Sequence, residues 1–356
     1  MRLDLFDYHL PAHLIANEPS PVRDQSRLMV VSRTSESVFH RRFQDIGDYL
    51  NPGDALVLNN TKVFCARLTA KKSTGAVLEV FLLHPIDDEG QALPLSQLDP
   101  QAKSGLWKIL VKPAKRIKAQ DRLVVDAHLS ILICSKDPRG IVGHLDCDRP
   151  LLEYLDSTGD VPLPPYIQSS LSRDALLDRY QTIYAGPQGS VAAPTAGLHF
   201  TPDLLQRLVA KGVELVYVTL HVGYGTFQPI TTDDITQHQM HPEWYDVSEH
   251  AAETLNRVRR LGGRVFAVGT TSARTLETLF HDQYVAGSGY TTAYFYPGYT
   301  FKAVDGLVTN FHLPKSSLML LVSALLGRDR VMTLYDLAIE EAYRFFSFGD
   351  AMMVLP

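Results

Sequence analysis

Between about residues 62 and 153 the chain alternates short apolar runs with turn residues. VFCARLTA, AVLEVFLLH, LWKILVK, RLVVD, HLSILIC and IVGHLDC are separated by Thr-Gly, Lys-Pro and Pro-Arg-Gly breaks. Runs of this length at short spacing predict strands of a small antiparallel barrel or sandwich. From about 200 to 281 the pattern lengthens. Thr201 is a good N-cap, Pro202 suits the first helical position, and Leu204, Leu205, Leu208 and Val209 are expected on one face of a helix that Gly212 ends. VELVYVTLHVG then reads as a buried strand. Ser248 caps a helix over EHAAETLNRVRRL, Gly262-Gly263 stops it, RVFAVG is a strand, and TTSARTLETLF opens another helix. Alternating strand and helix predicts an α/β layer structure. If the all-β part is an insertion, residues 1–61 and 154–356 form one discontinuous, large mixed α/β domain, and 62–153 an inserted small β-barrel domain. The passage 85–102 (PIDDEGQALPLSQLDPQA) is then a loop excursion of the small domain. Leu334, Leu337, Ala338, Glu341, Ala342 and Phe345 share a helical face.

The chain has 356 residues, 45% hydrophobic and 21% charged, enough to bury a sizeable core. The apolar run Leu318 to Leu326 is nine residues, far short of the ~20 a bilayer needs, and reads as a buried helix. Cys65, Cys134 and Cys147 form no C-x-x-C pair, which argues against a disulfide framework or a zinc cage. The opening MRLDLFDYHLPAHL lacks a basic-then-apolar signal pattern, so a cytoplasmic location is expected and the sequon Asn59-Asn60-Thr61 is discounted. The net charge of −5 argues against a uniformly basic surface. Locally, Lys103 to Arg122 holds seven Lys or Arg against one acid, Asp121, and Lys62, Arg67, Lys71 and Lys72 form a second cluster. These are either solvated strand faces or a footprint for a polyanion such as RNA.

Candidate chemistry gathers where strands end, because ligands in α/β folds sit at the carboxyl ends of strands. HVGYGTFQP leaves one strand, and Gly223 and Gly225 permit close backbone approach or simply a tight turn; no G-x-G-x-x-G opens a helix. Thr270-Thr271-Ser272 begins the next helix and offers N–H groups and hydroxyls to an anion, or only caps the helix. VAAPTAGLHFT is either a core loop or a backbone cradle. His238 and His241, with His199, His221 and His312, raise a metal reading, but H-E-x-x-H is absent and no metal is expected. G-x-S-x-G is absent as well. Near Arg344, Phe346 and Phe348 suit either core or nucleobase stacking, Phe345 suits core, and Asp350 is positioned to accept hydrogen bonds.

Taken together, these segments resemble one family, the S-adenosylmethionine:tRNA ribosyltransferase-isomerases of queuosine biosynthesis. The resemblance rests on DYHLPAHLIA with Ser26-Arg27-Leu28, LVLNNTKVFCARL, PLPPYI, RYQTIYA, VAAPTAGLHFT, VTLHVGYGTFQPI, HQMHPEWY, AVGTTSARTLE, YPGY, VTNFHLPKSSL and YRFFSFGDAM, in the family's order. It implies a large α/β domain with an inserted barrel, and an enzyme that uses S-adenosylmethionine as ribosyl donor. The ribosyl moiety passes to 7-aminomethyl-7-deazaguanine at the wobble position of a tRNA with a GUN anticodon, giving epoxyqueuosine, adenine and methionine. A soluble monomer with no membrane partner is implied. The matching motifs carry His199, His221, His241, His312 and Asp350 as catalytic candidates, His199 and His221 nearest the chemistry. Pro194, Thr195, Gly197, Gly223, Gly225, Thr226, Phe227, Thr270, Thr271, Ser272, Arg274, Asn310, Arg344 and Phe346 are candidates for holding substrate, with an aromatic face such as Phe227, or a carboxylate, on the sulfonium and Arg274 near the methionine carboxylate. Lys62, Arg67, Lys115, Arg116 and Lys118 would meet RNA. Tyr224, where a smaller residue is expected, Lys315, where an acid is usual, and the long 85–102 passage depart from the family pattern. A histidine- or metal-dependent nucleoside hydrolase and a non-catalytic RNA-binding protein are the competing functions.

Overall fold

The computed structural model describes residues 1–137, 140–164, 167, 169–227 and 230–356, with the backbone alone at Thr226 and Phe227. Pro138 and Arg139 of the Pro-Arg-Gly break, Pro165 and Tyr166 of PLPPYI, and Gln228 and Pro229 of HVGYGTFQP lie outside the described residues, as does Gln168. A nine-stranded mixed sheet runs, edge to edge, through Gly287–Thr291, Glu243–Val247, Glu214–Leu220, Ala55–Asn59, Val265–Val268, Gly306–Asn310, Ala351–Leu355, Arg27–Ser32 and Val38–Arg42. Glu214–Leu220, Ala55–Asn59, Val265–Val268 and Gly306–Asn310 are parallel neighbours, so their carboxyl ends share one edge. Ala351–Leu355 is antiparallel to Gly306–Asn310, with Ala351 opposite Asn310, and Arg27–Ser32 runs parallel to it. The amino ends of those two strands therefore reach the same edge.

Side chains alternate across the sheet, as strand geometry requires. Val57, Val216, Ala267 and Leu307 pack against helices Glu249–Arg260, Gly269–Leu279, Ser317–Leu326 and Arg328–Glu340. Leu56, Leu58, Phe266 and Val308 pack on the other face against Phe43, Phe200 and the helix Pro202–Ala210. Thr201 caps that helix by accepting from Leu204 N–H at 3.2 Å, and Ser248 caps Glu249–Arg260 through Ala251 N–H at 3.2 Å. The buried-helix expectation for Leu318 to Leu326 holds within Ser317–Leu326.

Two local expectations fail. Val209 is 54% exposed, because it lies beyond the arc of Leu204, Leu205 and Leu208 at about 100° per residue. The last helix stops at Glu340 and does not continue to Phe345. Ala342 turns left-handed (φ 51°), and Tyr343 N–H bonds Ala338 O at 2.8 Å, closing a Schellman-type end without glycine.

The six apolar runs become a closed antiparallel barrel ordered Gly140–Cys147, Ser104–Lys112, Val77–Ile86, Arg67–Lys72, Arg122–Val124, Leu129–Asp137. Closure leaves no free strand edge. Its core includes Leu68, Val80, Trp107, Ile109, Ile131 and Leu145, and the helix Leu151–Thr158 seals one side through Leu151, Tyr154 and Leu155. The 85–102 passage folds back on the large sheet: Leu95 is buried, and Ala92 O accepts from Tyr290 Oη at 2.8 Å. Tyr224 rests edge-on against Phe81 of the barrel, 5.3 Å between centroids, and Lys315 pairs with Asp7 at 2.5 Å. Among the described residues no helix is long and apolar enough to cross a membrane, and the three cysteines are free thiols.

Far from the shared edge, Asp54 pins the amino ends of two central strands. It accepts from Arg264 N–H at 2.9 Å, Asn51 N–H at 2.7 Å and the Arg264 guanidinium at 2.5 Å. Burial pushes its carboxyl up, but these hydrogen bonds outweigh that and hold it below the usual value. Its stabilisation is present above the unfolded carboxylate pKa and lost as pH falls through the lower folded value. Asp54→Asn is expected to cost about 3 kcal/mol in urea denaturation at pH 7. The gap to wild type should shrink below pH 3.8.

Candidate active site

At the carboxyl edge, Asn59 is fully buried and all its capacity is used. Its Nδ2 donates to Leu220 O at 3.0 Å and Thr271 Oγ1 at 3.2 Å; its Oδ1 accepts from Thr61 N–H and Leu220 N–H, each at 3.1 Å. It joins three strand exits above which two cavities open. The first, about 270 Å³, is lined by Ala192 to Ala196, Gly269 to Thr271, Thr309 to Ser316, Leu318, Phe346 and Ser347. The second, about 420 Å³, lies between the sheet and the barrel and is lined by Leu83, His84, Gln91 to Leu95, Gly189, His221, Gly223, Glu243, Trp244 and Tyr290. Val222 lines both.

The VAAPTAGLHFT loop forms the first cavity's wall through Pro194 and Thr195, while its middle is core. A Cβ at Gly197 would collide with the Tyr184 hydroxyl. His199 is buried and stacked on Phe43 at 4.8 Å. Asn310 Nδ2 donates to Phe346 O at 3.2 Å, which fixes the amide, and faces His199 Nε2 at 3.2 Å. His199 Nε2 is therefore an acceptor, and Nδ1–H donates to Ser26 Oγ at 2.7 Å. Thr195 Oγ1 completes the network by donating to Asn310 Oδ1 at 3.0 Å. Both ring nitrogens of His199 are engaged by protein groups. Burial first, then Arg344 and Arg23, depresses its pKa to about 3.

His221 differs. Its Nδ1 lies 2.8 Å from Thr61 Oγ1 and its ring stacks on Trp244 at 4.8 Å, but its buried Nε2 has no partner among the described residues. Burial lowers its pKa to about 4. A Cβ at Gly189 would overlap the ring, so only glycine admits this histidine here. His312 lines the first cavity, bonded through Nε2 to Thr309 Oγ1 at 2.8 Å, and burial lowers it to about 3. His241 is exposed and lies against Gly225.

Asp350 is buried away from both cavities and clamps backbone: it accepts from Arg27 N–H and Arg344 N–H, each at 2.8 Å, with the Arg344 guanidinium 3.7 Å away. Thr270 and Thr271 face the first cavity at a helix start, whereas Ser272 Oγ turns back to Val268 O at 2.8 Å. Arg274 is buried against Glu243, whose other oxygen accepts from Gly223 N–H at 2.8 Å; the Arg274 Nη2 has no partner among the described residues. Phe345 and Phe348 are core, while Phe346 lines the first cavity with φ 76°, a strained conformation for a bulky residue. The side chains of Thr226 and Phe227 lie outside what the structure describes. Among the described residues no three His, Cys, Asp or Glu side chains gather as a metal site.

The basic residues separate. Lys62 is exposed beside the strand Gln188–Ser190, and Arg67 pairs with Asp160 through the backbone, its guanidinium lying 3.8 Å from Glu79. Lys115, Arg116 and Lys118 occupy a turn at the other end of the same barrel strand, where Lys72 Nζ meets Arg116 O at 3.0 Å, about 16 Å further along. Lys72 itself is paired with Asp121 at 2.8 Å. Sequence reasoning missed Asn59, Thr61, Gly189, Ser190, Trp244 and Ser26. Asn59 and Thr61 follow an apolar run, which is the position at which α/β folds place ligands.

His199, His221 and His312 are neutral in the folded chain and titrate near 6.5 when unfolded. Their contribution is full above pH 6.5 and lost as pH falls toward their folded values, at about 1.4 kcal/mol per pH unit for each. Urea denaturation between pH 6 and 4 should show stability falling with acidity, and His312→Gln should reduce that slope by about one proton. An unchanged slope would mean that His312 is already protonated in the native state.

The family described as queuosine biosynthesis protein matches residues 3–354. The chain is 47% identical over its whole length to S-adenosylmethionine:tRNA ribosyltransferase-isomerase of Staphylococcus saprophyticus, and 47% identical to the protein of that name from Desulforamulus reducens, each covered completely. The crystal structure of the S-adenosylmethionine tRNA ribosyltransferase of Thermotoga maritima, 37% identical, superposes with a TM-score of 0.54 over 99% of this chain and 100% of that one. With a family match across nearly all residues and the same mixed sheet and barrel expected of it, the chain belongs to the S-adenosylmethionine:tRNA ribosyltransferase-isomerases of queuosine biosynthesis.

Proposed function

We propose that this enzyme transfers and isomerises the ribosyl moiety of S-adenosylmethionine onto 7-aminomethyl-7-deazaguanine at the wobble position of a tRNA with a GUN anticodon. The products are epoxyqueuosine, adenine and methionine. The observation that carries this reading is the pair of cavities meeting at Val222, with His221 on the wall between sheet and barrel and its buried Nε2 without a partner among the described residues.

The first cavity fits the small substrate. It is mostly apolar, its polar groups are few and fixed, and Phe346 offers an aromatic face to a sulfonium or an adenine ring. The helix start at Gly269 to Thr271 supplies N–H groups for a carboxylate. Arg274 serves that carboxylate only indirectly, since its guanidinium is held by Glu243. The second cavity fits the splayed base, with Trp244 and Tyr290 on its wall. His221 accepts the proton that the aminomethyl nitrogen sheds as its new C–N bond forms; being neutral, it has its lone pair available at pH 7. His199, saturated by Ser26 and Asn310, holds the loop that walls the first cavity. Asp350 anchors the turn that presents Phe346.

Lys62 lies on the strand paired with Gln188–Ser190, whose Gly189 lines the second cavity, Arg67 opens the barrel strand Arg67–Lys72, and Lys115, Arg116 and Lys118 lie at that strand's far end, a spacing that suits an anticodon arm lying across both. Adenine release, followed by chromatography, is expected only when S-adenosylmethionine and tRNA carrying the aminomethyl base are both present. Release without tRNA would replace this reading with nucleoside hydrolysis. Phe346→Ala should raise KM for S-adenosylmethionine about tenfold with little change in tRNA affinity. Replacing Lys115, Arg116 and Lys118 by Ala should weaken tRNA binding and flatten its dependence on log salt by about two to three units. Unchanged affinity and slope would remove the distal end of the barrel from the RNA site.

A further inference from the structure

We infer that Thr61 and Ser190 are positioning residues that hold His221 as its Nδ1–H tautomer, which leaves Nε2 as the proton acceptor; this rests on the role given to His221 above. Three elements converge on the ring. Thr61 follows the strand Ala55–Asn59, Ser190 ends the short strand Gln188–Ser190, and Trp244 belongs to Glu243–Val247. Trp244 stacks on one side of the imidazole at 4.8 Å and 24° between planes, and Gly189 leaves room for it. The ring is clamped in one plane, so the remaining question is which nitrogen carries the hydrogen.

The hydroxyl chain answers it. Val222 N–H, a donor only, gives its hydrogen to Ser190 Oγ at 2.7 Å. Thr61 Oγ1 donates to the same Ser190 oxygen at 2.9 Å. With its hydrogen committed, Thr61 Oγ1 faces His221 Nδ1 at 2.8 Å as an acceptor, and Nδ1 must carry the proton. The reverse arrangement would leave an Nε2–H donor buried with nothing among the described residues to accept it, a loss of about 1–3 kcal/mol. In the favoured arrangement the unpaired atom is a lone pair, and an incoming N–H satisfies it. The other ionisable groups on this wall are His84, Glu243 and Tyr290. Glu243 is occupied by Arg274 and Gly223 N–H, His84 by Pro85 O at 3.1 Å, and Tyr290 by Ala92 O. Among the described residues none of them is hydrogen-bonded to Nε2.

The outcome is read in two ways, on the full-length enzyme with S-adenosylmethionine and aminomethyl-base tRNA. ¹⁵N-imidazole NMR of the wild type should place the His221 hydrogen on Nδ1, and Thr61→Val should move part of the population to Nε2–H. Thr61→Val should lower kcat about 10–100-fold while KM for both substrates stays within about twofold, and Thr61→Ser, which keeps the hydroxyl, should recover at least about a third of kcat. A wild-type spectrum showing Nε2–H overturns the inference without any variant having to fold. Thr61→Val with wild-type tautomer and kcat overturns it as well. Failure of the underlying reading looks different: His221→Ala would then turn over at the wild-type rate whatever the tautomer proves to be.

Discussion

The buried amide of Asn59 is the constraint on which the rest of the site depends. Parallel strands end with unpaired carbonyls and amides, and at the centre of a covered sheet these have no water to turn to. Asn59 takes both polar groups of Leu220, the N–H of Thr61 and the hydroxyl of Thr271. The chain can then leave the sheet at Thr61, His221 and Thr270 in fixed directions, and of these exits Thr270 lines the first cavity and His221 the second. An apolar side chain at position 59 would keep the packing and lose all of these directions together.

A second theme is how the protein keeps histidines uncharged. His199, His221 and His312 are each buried, each engaged through a ring nitrogen by a hydroxyl, and each lacks a carboxylate at hydrogen-bonding distance among the contacts described. Hydroxyl partners orient an imidazole without stabilising its cation as a carboxylate would. The result is a rigid, neutral set of side chains; in the function proposed above, an additional positive charge there would oppose the binding of a cationic sulfonium.

Much of the architecture was legible in the sequence because it follows from period and punctuation. Six short apolar runs gave six barrel strands, and Thr201 and Ser248 cap the helices expected of them. What escaped depended on tertiary context. Ala342 ends a helix in a conformation that glycine usually signals, so the pattern of apolar positions overran it. The histidine-bearing segments could be singled out, but periodicity cannot rank them; only the saturation of His199 by Ser26 and Asn310, residues far away in the chain, distinguishes it from His221. Asn59 and Thr61 read as a glycosylation signal to be discounted, since their role comes from neighbours more than 150 residues distant.

The pairing of Arg27–Ser32 with Ala351–Leu355 has a consequence for how the protein is made. The barrel strands lie close together in the chain and their hairpins can form as soon as they are synthesised, whereas this ladder joins segments more than 300 residues apart. Long-range pairing of this kind is slow because the intervening chain must first be brought into place. The edge that carries Ser26, Asn310 and Asp350 is therefore assembled after the barrel, and a nascent chain can hold a finished barrel before it holds a finished site.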